Sequence, residues 1–216
     1  MTGPEDFLTA TRTFYDTVAE DYAEHFRNPL ADRPLERALL AAYAEQVGPG
    51  GTVADLGCGP GEITAHLASL GLSVIGLDLS TSMVAIARRT HPALRFEQGS
   101  MLELPFDDGS LTGAVSWYSS IHTPAHRLPH LFAEFHRVLA PGGRLLLAFQ
   151  TGDAPLRLDR PWDRPVVLDF HRRRPELMAE LLSGTGFALC SSTVRERQEA
   201  LAETAPQAFL LARKEG

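Results

Sequence analysis

The sequence predicts an α/β protein: a doubly wound, seven-stranded sheet, mostly parallel, with helices on both faces and an antiparallel strand at its C-terminal end. Three observations predict it. Short apolar runs alternate with helix-like stretches from residue 52 to 149, the pattern of βαβ units. The runs TVADLG, SVIGLD and RLLLAF are almost continuously apolar, as strands covered on both faces must be. The stretch VADLGCGPGEIT, residues 53–64, then sets Gly57, Gly59 and Gly61 between the first such run and a helix. That is where an open parallel sheet takes a ligand.

The elements follow in order. Residues 1–46 read as an N-terminal helical cap. FLTATRTFYDTVAEDYAEHF spaces Phe7, Phe14, Val18, Tyr22 and Phe26 on one helical face. RPLERALLAAYAEQV continues, with Pro34 suited to a first turn and Gly48 to a stop. Residues 47–150 form the alternating core. Its strands are TVADLG, SVIGLD, LRFEQG, LTGAVSWYSS and RLLLAF, and its helices are EITAHLASLG, SMVAIARRT (capped by Ser80 or Thr81) and LPHLFAEFHRVLA, ended by PGG. Residues 151–172 are rich in Pro and charge and read as an irregular lid. Trp162, with the nearby Phe149 and Phe170, is expected to wall a partly hydrophobic substrate. Residues 173–216 give the helix RPELMAELLSGTG and the strands FALCSSTVRE and QAFLLARK, joined as a hairpin. The whole chain, 1–216, reads as one domain.

Composition narrows the function. At 216 residues and 44% hydrophobic the chain can bury a sizeable core. No run of about 18 apolar residues suggests a membrane span, and the N-terminal stretch lacks the basic start and apolar block of a leader. Cys58 and Cys190 make no disulfide framework, so a cytoplasmic location is expected. A net charge of −7 argues against a nucleic-acid partner.

The glycine turn carries the chemistry. Glycines admit positive φ and let a ligand approach the backbone, and the following helix presents free N–H groups. Asp78 ends the second strand 21 residues beyond Gly57, where a carboxylate can accept both hydroxyls of a ribose. The ligand is therefore read as a nucleoside. The pattern is D-x-G-x-G-x-G, residues 55–61, rather than the G-x-G-x-x-G of dinucleotide enzymes. Asp55 would repel a pyrophosphate and attract an ammonium or sulfonium, which favours S-adenosyl-L-methionine over NAD. Two alternatives stay open: an NAD(P)-dependent oxidoreductase, which the single lysine, Lys214, deprives of a Tyr–Lys pair, and a non-catalytic nucleoside-binding module.

VADLGCGPG resembles the first motif of the class I S-adenosylmethionine-dependent methyltransferases, and VIGLDLSTSMVAIAR the second. RFEQGSMLELPFDDGSLTGAVSWYSSIH resembles the third and fourth, and EFHRVLAPGGRLLLAF the segment through the fifth strand. FYDTVAEDYAEHF is similar to the Tyr-rich helix that small members fold over the cofactor. The resemblance spans residues 14–150 in order. It implies a Rossmann-like fold and a stand-alone enzyme that methylates a small molecule. It also implies that Asp55, Gly57, Cys58 and Gly59 hold the methionine part of the cofactor and that Asp78 holds the ribose. Leu79, Met83, Ser100 and Met101 would lie at the adenine, Trp117 would offer a backbone carbonyl to the ammonium, and Tyr15 and Tyr22 would close over the carboxylate end. Ser100 departs from the family's usual Asp, so any bond it makes to the adenine is neutral and weaker.

Methyl transfer is an in-line displacement that asks the protein to align the reactants and exclude water. No metal is expected. His122, in WYSSIHTP, is the candidate general base, since an ordinary histidine titrates near 6.5. Tyr118 is the candidate substrate contact. His122, His126 and His130 recur every four residues, but Pro124 and Pro129 break a regular helix and a surface role is expected for them. Cys58 is expected to fit sterically rather than act as a nucleophile. The run HRRR, residues 171–174, reads as an anion site or as partners for Asp169 and Glu176. The acceptor atom stays open among O, N, S and C, as does a monomeric or homodimeric state.

Overall fold

The structure, a computed structural model, describes residues 6–216; residues 1–5, part of the expected cap and of the stretch read for a leader, lie outside the described residues. Two helices come first, α1 (Asp6–His25) and α2 (Pro34–Val47). The alternating region follows as β1 (Thr52–Leu56), α3 (Glu62–Ser69), β2 (Ser73–Asp78), α4 (Thr81–Thr90), β3 (Arg95–Gln98), β4 (Leu111–Trp117), α5 (Leu128–Val138) and β5 (Leu139–Gln150). The C-terminal part holds β6 (Leu156–Asp159), β7 (Val167–Phe170), α6 (Pro175–Ser183), β8 (Phe187–Arg195) and β9 (Gln207–Lys214).

Seven strands form one sheet in the order β3-β2-β1-β4-β5-β9-β8. All neighbours are parallel except β9, which runs antiparallel to both β5 and β8. The order reverses between β1 and β4, and a crevice opens at their C-terminal ends. Period-2 alternation builds a core on each face. On β5, Leu145, Leu147 and Phe149 pack with Phe132, Phe135 and Phe187, while Leu146 packs with Leu40, Tyr43 and Leu67 on the other side. Each such side chain contributes about 1.5–3 kcal/mol by leaving water.

Two segments differ from the sequence expectation. Residues 151–172 are not simply irregular: β6 and β7 pair antiparallel as a separate small sheet, Arg157 facing Asp169 across it with an ion pair at 3.1 Å. Strands of four residues bounded by proline carry too little periodicity to be read from sequence. The Pro141–Gly142–Gly143 stretch lies inside β5 as an irregularity, because Leu139 already pairs with Leu111 before the register shifts to Gly113 and Arg144. Among the described residues no helix is long and apolar enough to cross a membrane.

Candidate functional site

Two cavities meet at the C-terminal ends of β1 and β4. The smaller lies over the end of β2, against Asp78, Leu79, Ser100 and Met101. The larger, about 600 Å³, runs from the glycine turn beneath α1 to the β6–β7 hairpin. Tyr15, Tyr22, Gly57, Gly59, Trp117 and Tyr118 line both.

The turn is pinned to β2. The N–H groups of Gly57 and Cys58 both donate to the Leu77 carbonyl, at 2.7 and 3.0 Å. Gly57 has φ +77°, and a Cβ there would stand 2.3 Å from the Cβ of Ser119. Ser119 in turn donates to the Leu56 carbonyl at 2.5 Å and bonds Ser116 Oγ at 2.8 Å, tying the ends of β1 and β4 together. Gly57 therefore makes room for protein, whereas a Cβ on Gly59, at φ +52°, would point into open space.

Asp78 accepts from the backbone N–H of Gly59 and of Ser80, each at 2.8 Å. Two bonds leave a carboxylate further lone pairs for a ligand. Burial pushes its carboxyl up to about 6, against the pull of the Ser80 and Gly59 bonds. Asp55, fully buried, accepts from Thr64 Oγ1 at 2.6 Å, and burial pushes it up to about 7 despite that bond, with Asp78 adding to the rise. Among the described residues neither carboxylate has an ion-pair partner. Asp78 on the smaller cavity and Asp55 on the larger one thus act on each other without a counter-charge, an arrangement that a cationic ligand would relieve.

Helix α1 closes the site from above. Asp16 accepts from Ser80 Oγ at 2.6 Å and from Ser82 N–H at 3.0 Å, placing its carboxylate on the N-terminus of α4, where Ser80 also caps Met83. Arg164, in the β6–β7 turn, holds Asp21 at 2.7 Å. The Tyr15 hydroxyl and His122 Nε2 share a hydrogen bond of 2.8 Å, and the Tyr15 ring meets that of Tyr22 edge-on at 5.6 Å. The phenols of Tyr15 and Tyr22 are both pushed up by burial, Tyr22 to about 12, so both stay protonated.

His122 departs from expectation. It is buried in a short 3₁₀ turn after β4, and burial pushes it down to about 3, with His171 adding and the Asp169 backbone opposing. Its Nδ1 lies toward that backbone, outside hydrogen-bond geometry. A neutral imidazole whose Nε2 is already hydrogen-bonded to the Tyr15 hydroxyl is a poor base near pH 7, and it is no surface residue either. His126 is exposed and His130 bonds the Leu102 carbonyl at 3.0 Å, so the three histidines point to different surroundings. Among the described residues no group of side chains fits a metal.

Tyr118 follows β4 with φ +56°, a strained value for an aromatic residue, and its hydroxyl is buried without a hydrogen-bond partner. Burial pushes that phenol up, so it too stays protonated. Trp117, at the end of β4, lines both cavities and stacks near Phe209 at 5.5 Å. Leu79, Ser100 and Met101 lie together at the smaller cavity; Ser100 Oγ already accepts from Leu102 N–H at 3.2 Å.

Two expected residues sit elsewhere. Met83 lines neither cavity and packs beneath Tyr15 and Tyr22 with Ala19 and Ile86. Cys58 reaches the larger cavity, but its side chain packs on Val84, Ala87 and Phe96, and burial pushes the thiol up, away from nucleophilic use. The HRRR run lines neither cavity. Arg172 bonds Thr204 at 2.5 Å, Arg173 bonds the Thr123 carbonyl and Arg174 faces Asp153 at 3.4 Å, while Asp169 is held by Arg157. Sequence reasoning missed Asp16, and it missed the group of Arg33, Glu36, Arg195 and Glu203 behind the larger cavity. No local signal marks either, since each joins residues from elements far apart in the chain.

Known proteins match this geometry. The family profile described as a methyltransferase domain matches residues 53–143. A demethylmenaquinone methyltransferase from Beutenbergia cavernae is 40% identical over 117 residues, 54% of this chain and 47% of that protein. The chain spans about half the length, or less, of the first curated relatives it matches. Among solved structures, the 1,6-didemethyltoxoflavin-N1-methyltransferase of Burkholderia thailandensis, bound to S-adenosylhomocysteine, superposes with a TM-score of 0.75 at 22% identity, covering 100% of this chain and 92% of that one. The [4+2]-cyclase SpnF superposes at 0.74 with 19% identity, covering 95% of each chain, so the fold does not by itself dictate methyl transfer. On its motifs, its sheet order and these matches, the chain is similar to the class I S-adenosylmethionine-dependent methyltransferases, with the methyltransferase-domain match lying over residues 53–143.

Proposed function

We propose that this chain transfers a methyl group from S-adenosyl-L-methionine to a small, partly hydrophobic acceptor held in the larger cavity. One observation carries the reading: two carboxylates without an ion-pair partner, Asp78 on the smaller cavity and Asp55 on the roomy one, lie to either side of the wall that both cavities share at Gly57, Gly59, Tyr15 and Tyr118. The donor, when bound, supplies a methyl on a sulfonium whose leaving group is neutral. The chain's own residues do the rest. Asp78 would hold the ribose, and Leu79, Ser100 and Met101 the adenine. Asp55, Gly57, Cys58, Gly59 and the Trp117 backbone would hold the methionine end, and Met83 supports that pocket from below. Tyr15, fixed by His122, and Tyr22 cover it and exclude water. In this reading His122 positions Tyr15, in place of the base role expected from sequence.

The NAD(P) alternative finds less support. Lys214 bonds the His136 and Leu139 carbonyls, at 2.7 and 2.8 Å, and lines neither cavity. Calorimetry with S-adenosylmethionine and with NADH separates the two readings: the first should bind and the second should not, and the reverse order sinks the proposal. Asp78→Asn should weaken binding of the first by about 1–3 kcal/mol, the scale for a lost charged hydrogen bond.

A further inference from the structure

We infer that the acceptor is a primary or secondary amine carried on a flat apolar body and methylated on nitrogen; this rests on the methyl-transfer reading above. Four observations meet in the larger cavity.

The first is an aromatic wall. Tyr22 and His25 of α1, with Phe26 just after it, lie by Trp162 of the β6–β7 turn, with centroids 4.4 Å apart for Tyr22–Phe26, 5.8 Å for His25–Trp162 and 6.4 Å for Tyr22–Trp162. Such faces stack on flat rings and attract cations. The second is charge. Asp32, Glu36, Glu62 and Glu203 line the cavity with Arg33, and Arg195 stands behind, pairing with Glu36 and Glu203 at 2.8 and 2.7 Å. With Asp55 also on the lining, five carboxyl groups against two guanidinium groups leave the cleft negative, which opposes a carboxylate or phosphate ester and draws in an ammonium.

The third observation concerns protons. The imidazole of His122 is engaged by Tyr15, and the phenols of Tyr15, Tyr22 and Tyr118 stay protonated. None of these four groups takes a proton from an acceptor, and an amine that has lost its proton to water brings its own lone pair. The fourth is Tyr118, which lines both cavities and whose buried hydroxyl has no hydrogen-bond partner among the described residues. The oxygen of a neutral phenol accepts an N–H, which would turn the amine's lone pair toward the methyl.

The step balances without a further reactant. The ammonium drawn into the cleft gives a proton to water. The nitrogen lone pair then forms the N–C bond as the C–S bond breaks, its pair passing to a neutral thioether. The new ammonium releases its extra proton to water.

Calorimetry on the full chain saturated with S-adenosylhomocysteine, titrated with tryptamine, tryptophol and indole-3-acetate, tests the class, since the three share a ring and differ at the end group. Tryptamine should bind about tenfold tighter than tryptophol, and indole-3-acetate weakest of all. Asp32→Asn combined with Glu62→Gln should narrow the tryptamine advantage, and Trp162→Ala should weaken tryptamine and tryptophol alike. With S-adenosylmethionine, methyl should appear on tryptamine nitrogen, and Tyr118→Phe should lower that kcat/KM about tenfold. Tight indole-3-acetate binding, methyl on tryptophol oxygen, or no tryptamine binding by a protein that does bind S-adenosylhomocysteine overturns the amine inference. Failure to bind either form of the cofactor overturns the methyl-transfer reading instead.

Discussion

Asp55 shows how much a single buried carboxyl can report. Its partner Thr64 offers one hydrogen bond, too little to offset burial, so the folded carboxyl holds its proton to about 7. An unfolded aspartate loses that proton near 3.9. Between those two values the folded state binds the extra proton, so this group makes stability fall as pH rises from about 4 to 7. Asp55→Asn, which keeps a Thr64 acceptor, should therefore melt higher than the parent at pH 8, with the difference fading below pH 5. Melting scans across that range check it, and identical pH profiles for the two proteins would refute the burial argument. Asp55 and Gly57 were both legible in sequence, but Gly57 for an incomplete reason. Its missing Cβ clears Ser119 in the neighbouring strand's loop, a contact 62 residues away in the chain that no local pattern encodes.

At the scale of elements, helix α1 is the part on which the site most depends. Its apolar spacing marked it as an amphipathic helix, and its tyrosines were singled out from their resemblance. Its docking angle has a different origin. Asp16 caps another helix's N-terminus through Ser80 and Ser82, and Tyr15 and Asp21 find His122 and Arg164. Asp16→Ala should cost about 0.5–2 kcal/mol, the usual range for a lost cap. It should also speed amide exchange across residues 6–25 and weaken cofactor binding; unchanged exchange there would show that the helix is held by packing alone. The β6–β7 hairpin illustrates the opposite case. Arg160, Trp162 and Asp163 all sit at positive φ without being glycine, so the turn exists because pairing and the clasp on α1 outweigh local preference.

Across the whole molecule, Arg195 of β8 joins Glu36 of α2 and Glu203 ahead of β9, with Arg33 completing the group at 2.5 Å from Glu203. Burial works to raise the Glu203 carboxyl, but the bonds from Arg195, the Gln198 N–H and Arg33 prevail and hold it at about 2. Arg195→Ala strands two buried carboxylates with one guanidinium and should cost about 3–5 kcal/mol. Denaturant titration checks that figure. Replacing Glu36 by Gln and Arg195 by Met together should recover much of the loss, and a double variant no better than the single one would show that the group contributes nothing as a unit.

What the sequence determined by itself was whatever repeats locally: strand and helix alternation, the seven strands and their buried faces, the glycine turn, and an acid at the end of β2. These follow from periodicity and from backbone geometry over a few residues, which a chain carries wherever it folds. Tertiary structure alone decided that His122 is a buried, engaged imidazole, that Met83 lies beneath the tyrosines without lining either cavity, that a hairpin stands where an irregular lid was expected, and that five carboxyl groups line the larger cavity. Each of these depends on desolvation and charge from elements brought together at long range, and such energies exist only once the chain is packed.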